Sequence, residues 1–244
     1  MSQSFEISPY DGILLVDKPA GPTSHDVVDT VRAILGVKRV GHCGTLDPNA
    51  TGLLVIVIGK ATKLSDQFTS TDKVYEGAMV LGTETDSYDA DGKILATNPV
   101  PQITVEKLNE LAKKFTGDIL QKPPMVSAVK KDGVPLYKLA RKGIDIDREP
   151  RPVHIYDFTF EDYVEPMAWF RVACSKGTYV RSLVHDFGKE LGCGAYLKHL
   201  RRTVSGKFNV KDAIQMEELI KMDAETLKSK IINLYELAKI LYTK

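Results

Sequence analysis

The longest uninterrupted apolar run in this chain is six residues, Leu53 to Ile58. A helix that crosses a bilayer needs about twenty. A short run of this kind, rich in Val and Ile, reads as a strand buried on both faces. Gly12 to Val16 reads the same way and ends at Lys18-Pro19-Ala20-Gly21-Pro22, where two prolines and a glycine force a loop. Between these strands the period changes. Val27, Val28, Val31, Ile34 and Leu35 form a helical stripe. Thr23 stands at its start as N-cap, Asp26 completes a capping box, and Gly36 ends it. A second stripe, Leu108, Leu111, Ala112 and Phe115, runs between Thr104 and Gly117. A third, from Val180 to Leu191, stops at Gly192. Val153 to Phe158, Phe170 to Cys174 and part of Lys73 to Leu81 read as further strands, and Glu84 to Gly92 as an acidic turn. Strands and helices mix without a steady βαβ alternation, so an α+β fold with a largely antiparallel sheet is expected.

At 244 residues with 43% apolar side chains, the chain has material for a sizeable core. Its net charge of +1 says nothing about partners, but the charge is unevenly spread. Residues 121–151 hold eight basic and four acidic side chains among prolines and glycines, and residues 171–211 hold nine basic and two acidic. Converging in space, the two blocks make the positive face of a nucleic-acid binder. Two solvated faces account for the charges equally well. Cys43, Cys174 and Cys193 contain no CxxC pair, which fits a reducing compartment. The N-terminus shows neither a basic nor an apolar signal region, so a soluble, cytoplasmic protein is expected.

The most informative stretch is Gly41-His42-Cys43-Gly44-Thr45-Leu46-Asp47-Pro48-Asn49-Ala50-Thr51-Gly52. Two readings of Asp47 stand side by side. One is a helix N-cap with Pro48 at the first helical position. The other is a carboxylate on a glycine-hinged loop, able to attack a sugar or base carbon. His42 and Cys43 lack the further ligands a metal site needs, and neighbours on a chain do not point at each other as a hydrolytic pair must. Tyr75 reads as a half-buried strand residue or as a platform for an unpaired base. Tyr179 and Arg181 sit at a helix start; Arg181 is either a surface cation or the partner of a buried carboxylate. Arg201 and Arg202 lie in a short basic segment suited to phosphate contact.

Several motifs occur in one order: Lys18-Pro19-x-Gly21-x-Thr23-Ser24, Gly41-His42-x-Gly44-Thr45-Leu46-Asp47-Pro48, Lys73-x-Tyr75, Leu81-Gly82-x-x-Thr85-Asp86, Gln121-x-Pro123-Pro124, Gly177-Thr178-Tyr179-x-Arg181-Ser182-Leu183 and Leu200-Arg201-Arg202. In this set, spread over about residues 11–208, the chain resembles the tRNA pseudouridine synthase B family. The resemblance implies a pseudouridine-synthase fold, a largely antiparallel mixed sheet flanked by helices with a basic RNA-clamping insertion at 121–151. It implies isomerisation of uridine to pseudouridine at position 55 in the T-loop of tRNA. Asp47 takes the place of the nucleophile, Tyr75 of the ring that stacks on the flipped uracil, and Tyr179 of the ring on the base's other side that moves the C5 proton. Arg181 takes the place of the guanidinium paired with the aspartate. His42 occupies space near the flipped nucleotide, Leu200 contacts the target uridine, and Lys18 and Pro19 buttress the catalytic loop.

The reaction gains and loses nothing, so neither cofactor nor metal is called for. The base must leave its stack, which calls for an aromatic-walled pocket. Attack at C1′, addition at C6 and a route through a dehydrated sugar each use a carboxylate at this position. A tRNA chaperone and an RNA N-glycosylase use the same residues; the glycosylase would release free uracil. The sequence divides into a catalytic domain, 1–210, and a helical extension, 211–244, without the complete C-terminal RNA-binding domain of many family members. A monomer acting on the tRNA T-stem-loop without an obligate protein partner is the resulting expectation.

Overall fold

Gly12–Lys18 is buried at every position. On one edge it pairs antiparallel with Thr51–Ile58, from Gly12 opposite Ile58 to Lys18 opposite Gly52. On the other it meets Ile214–Gln215 in parallel and Ile232–Asn233 antiparallel. Burial at successive positions means that both of its faces are covered, which is why Gly12 to Val16 is apolar without alternation. The computed structural model describes residues 8–125, 127, 130–131, 134–135 and 146–242. They form two compact units, one of residues up to Val74 and from Arg201 onward, the other of Tyr75 to Leu200.

In the first unit, Val40–Cys43 pairs antiparallel with residues 55–58 of the strand Thr51–Ile58. Arg201 and Arg202 run parallel to Thr51 and Gly52. The sheet buries Ile13, Leu15, Leu53, Val55 and Val57 in one cluster with Phe68 and Phe208. The helix Ser24–Leu35 has the expected ends: a reciprocal capping box between Thr23 and Asp26, and Gly36 in the left-handed conformation.

The C-terminal stretch, expected to be helical, holds three short helices. They are Met216–Leu219, Ala224–Lys228 and Leu234–Tyr242. The restarts are local caps: Asp223 accepts from the Thr226 N–H at 2.8 Å, and Asn233 from the N–H groups of Tyr235 and Glu236 at 3.0 Å. Leu237 then joins the core cluster, with Leu234, Ile240 and Leu241 packed against it. The segment set apart in sequence as 211–244 thus belongs, through residue 242, to the first unit. Leu237→Ala is expected to cost about 2–5 kcal/mol in a urea unfolding curve. A loss under about 1 kcal/mol would show that the last helix is not part of this core.

In the second unit the strand ending at Leu81 lies beside Met167–Cys174, followed by Arg151–Val164 and, at the edge, Gly117–Gln121. The last three are antiparallel neighbours. The α+β expectation and the antiparallel bias are met. Phe187 of the helix Val180–Leu191 packs on Phe160 and Phe158 with centroids 4.9 and 5.7 Å away. The helix Val105–Ala112 is tied to the same strand by Asn109, which donates to the Phe160 carbonyl at 3.0 Å and accepts its N–H at 2.7 Å. The acidic turn is the tip of a hairpin between Thr83–Thr85 and Ile94–Thr97. Much of the basic insertion 121–151 lies outside the described residues. Its two ends are pinned together by Lys122 to Asp147 at 2.7 Å and Arg148 Nη1 to the Pro123 carbonyl at 3.2 Å.

Candidate active site

No helix begins at Asp47. Residues 44–50 instead join the antiparallel strands Val40–Cys43 and Thr51–Ile58, with a turn closed by the Ala50 N–H to the Asp47 carbonyl at 3.0 Å. The backbone of this loop is held at three points. Ser24 Oγ both donates to the Leu46 carbonyl and accepts its N–H, each at 2.9 Å. Lys18 Nζ donates to the carbonyls of Pro19, Pro22 and Pro48 at 2.7, 2.8 and 3.0 Å. Arg202 donates from Nη2 to the Gly44 carbonyl at 2.9 Å and from Nε to the Leu53 carbonyl at 2.7 Å. Asp47 is half-buried between these anchors.

Lys18 is fully buried, and burial pulls its pKa down to about 8, opposed by the carboxylates of Asp47 and Asp26. It therefore carries its charge at neutral pH. Lys18 thus reaches the loop as a buried cation at the Pro48 carbonyl. Arg202, assigned in sequence to substrate, has 1% of its surface exposed, and its guanidinium serves two backbone carbonyls. Arg201 points the other way, as alternation along a strand requires. It grips the buried Asp17 with two bonds of 2.9 and 2.6 Å, and Gln215 donates to the same carboxylate at 2.9 Å.

A close approach explains Gly52. Its φ is +99°, and a Cβ there would lie 2.3 Å from the Arg202 carbonyl oxygen. His42 is half-buried on its strand; burial first, then the charge of Arg202, holds its imidazole below the usual pKa, and it is neutral at pH 7. Burial pushes the Cys43 thiol up to about 11, so it is no nucleophile at neutral pH. Among the described residues, no group of three or more His, Cys, Asp or Glu side chains is placed to hold a metal ion.

In the second unit Tyr75 is buried on its strand. Tyr179 is the N-cap of the helix Val180–Leu191 and donates its N–H to Gln121 Oε1 at 2.6 Å. Ser182 Oγ donates to the Lys122 carbonyl at 2.8 Å, so the helix start is moored to the foot of the basic insertion. Arg181 is buried in the first turn, where the helix dipole disfavours a cation. A carboxylate offsets that: Arg181 Nη1 donates to Asp89 Oδ2 at 3.2 Å, and lies 3.4 Å from the Ser87 carbonyl. Within this unit Arg181 pairs with the carboxylate of Asp89. Leu200 is half-buried near the middle of the strand Ala195–Ser205. Asp89 and Asp17 were given no role by the sequence, and Gln121 appears there only as part of a motif. The signal for Asp89 was the acidic turn itself, since a buried arginine needs an acid.

Residues 32–180 match the model of the TruB family pseudouridylate synthase N-terminal domain. Residues 181–241 match that of the tRNA pseudouridylate synthase B C-terminal domain. The chain belongs to the TruB family. It is 50% identical to the tRNA pseudouridine synthase B of Opitutus terrae over 93% of this chain and 95% of that one. With the enzyme of the same name from Endomicrobium trichonymphae, identity is 46% over 89% and 94% of the two chains. Among solved structures, a chain of a Cbf5-Nop10-Gar1 complex is similar at a TM-score of 0.69 and 32% identity, covering 87% of this chain and 54% of that one. This TruB chain thus spans about half the length of that solved relative. Membership makes it a tRNA pseudouridine synthase, an isomerase acting on uridine. The match to the TruB C-terminal domain begins thirty residues before the division at 210/211 read from sequence.

Proposed function

We propose that this TruB chain isomerises uridine 55 in the T-loop of tRNA, with Asp47 as nucleophile and no cofactor. The observation that carries the reading is the Asp47 loop: Gly44, Leu46 and Pro48 are each held through their backbone by a buried side chain. A loop fixed through its main chain leaves the carboxylate's position set before substrate arrives, which is the geometric requirement for a nucleophile. The target base is flipped from the loop, with Tyr75 stacking on one face and Tyr179 packing on the other. The bond between N1 and C1′ breaks, the bond between C5 and C1′ forms, and the C5 proton leaves with Tyr179 as its first acceptor. N1 regains a proton, so atoms balance. Arg181 keeps a carboxylate ionised in a buried setting, which an always-charged guanidinium does more reliably than lysine. His42 fills space beside the flipped nucleotide, and Leu200 and Arg201 contact the substrate. The basic insertion holds the tRNA backbone, adding affinity rather than choice of sequence. The protein acts as a cytoplasmic monomer with no obligate protein partner.

The test uses purified protein without metal and an unmodified tRNA transcript tritiated at C5 of uridine. Tritium release without free uracil, mapping to position 55, is expected. Free uracil would point to a glycosylase. Binding without release would leave a tRNA chaperone and overturn the catalytic roles.

A further inference from the structure

The acidic turn carries a conformation its sequence does not favour. Tyr88 has φ of +65°, and among the described residues no other non-glycine side chain has a positive φ. A bulky residue there is sterically disfavoured and persists only where its surroundings hold it. The surroundings are specific. The Tyr88 ring stacks on His185, with centroids 3.9 Å apart and planes 17° from parallel. The Tyr88 carbonyl accepts from the Leu197 N–H at 2.9 Å, and Asp89 bridges to Leu197 in parallel. The next residue, Asp89, then directs Oδ2 to Arg181, while Oδ1 accepts from Ser87 Oγ and from the Asp91 N–H.

The helix explains why the two contacts go together. His185 follows Arg181 by four residues on Val180–Leu191, so both side chains lie on one face, a turn apart. Two consecutive residues of the turn therefore engage two successive rungs of the helix. A left-handed Tyr88 aims its ring at one rung and brings Asp89 to the other. Burial lowers the pKa of His185, leaving it neutral at pH 7, and its Nδ1 is buried without a hydrogen bond. The ring is used for its face.

We infer that Tyr88 and His185 are positioning residues for the isomerase: their stack holds the turn that delivers Asp89 to Arg181, and through Arg181 it sets turnover. The inference rests on the proposed role of Arg181. Tyr88→Gly permits the backbone conformation but removes the ring; Tyr88→Phe keeps the ring; His185→Ala removes the opposing face. Tyr88→Gly and His185→Ala are expected to lower kcat about tenfold while KM for tRNA stays within about twofold, and Tyr88→Phe to restore wild-type turnover. In an Asp89→Asn background, Tyr88→Gly is expected to cause no further loss. The second readout is independent of activity. In protein labelled with nitrogen-15 arginine, the side-chain N–H signals of Arg181 are expected to be sharp in the wild type and Tyr88→Phe, and broadened in Tyr88→Gly and His185→Ala. Unchanged kcat and signals in both ring-deleting variants would overturn the inference, as would losses that multiply with Asp89→Asn. A wild type that binds tRNA but releases no tritium would instead sink the proposed function, and the Arg181 signals alone would then decide.

Discussion

Asp47→Ala is expected to lower turnover by at least about a thousandfold while tRNA affinity stays within about twofold, if Asp47 is the nucleophile we propose. The size follows from the role: removing a nucleophile deletes a covalent step, whereas removing a binding group weakens only a complex. Retained affinity follows from how the loop is built. Ser24 holds Leu46, Lys18 holds Pro48 and Arg202 holds Gly44, all through main-chain atoms. None of those bonds uses the Asp47 side chain, so the loop keeps its course when the carboxylate is cut away. Asp47→Asn, with the same shape and no nucleophilic charge, should be as inactive as the alanine variant. The measurement is single-turnover tritium release beside filter binding of the same transcript. Residual turnover within tenfold of wild type would remove Asp47 from the nucleophile's role.

What was legible in the sequence was local. The Thr23 capping box, the Gly36 and Gly192 helix ends and the buried strands each depend on residues within a few positions of one another. The motif segments were legible because spacing alone carries them. What escaped was set by pairing at long range. Arg181 and Asp89 stand 92 residues apart, and Arg201 and Asp17 stand 184 apart. No period in the chain announces such partners; only the need of a buried guanidinium for an acid does. The helical character of the C-terminal stretch was legible; its division was not, because Asp223 and Asn233 are single polar side chains that cap new helices. Of the two readings of Asp47, the hairpin removes the N-cap. Cys43 opposite Val55 leaves residues 44–50 to close a loop, with no helix for Asp47 to cap.

Arg202 shows most sharply how a basic motif divides its work. The pair Arg201-Arg202 invites one interpretation, contact with phosphate. A strand puts neighbours on opposite faces, so the two arginines cannot share one role. Arg202 goes inward, with 1% of its surface exposed, and one planar group reaches both the Gly44 and Leu53 carbonyls. Those carbonyls lie on either side of Asp47 along its loop. Arg202→Met keeps much of the volume but leaves the buried Leu53 carbonyl and the part-buried Gly44 carbonyl without this donor, so the expected loss of stability is about 1–4 kcal/mol. Turnover should fall about a hundredfold, because a loop shifted by an ångström misplaces its carboxylate. Arg202→Lys should recover only part of either loss, since a single ammonium does not reproduce a guanidinium's fixed fork. Urea unfolding and single-turnover kinetics read the two effects, and tRNA affinity is expected to hold within about threefold. The opposite pattern, full stability with weakened and less salt-dependent tRNA binding, would return Arg202 to the phosphate backbone.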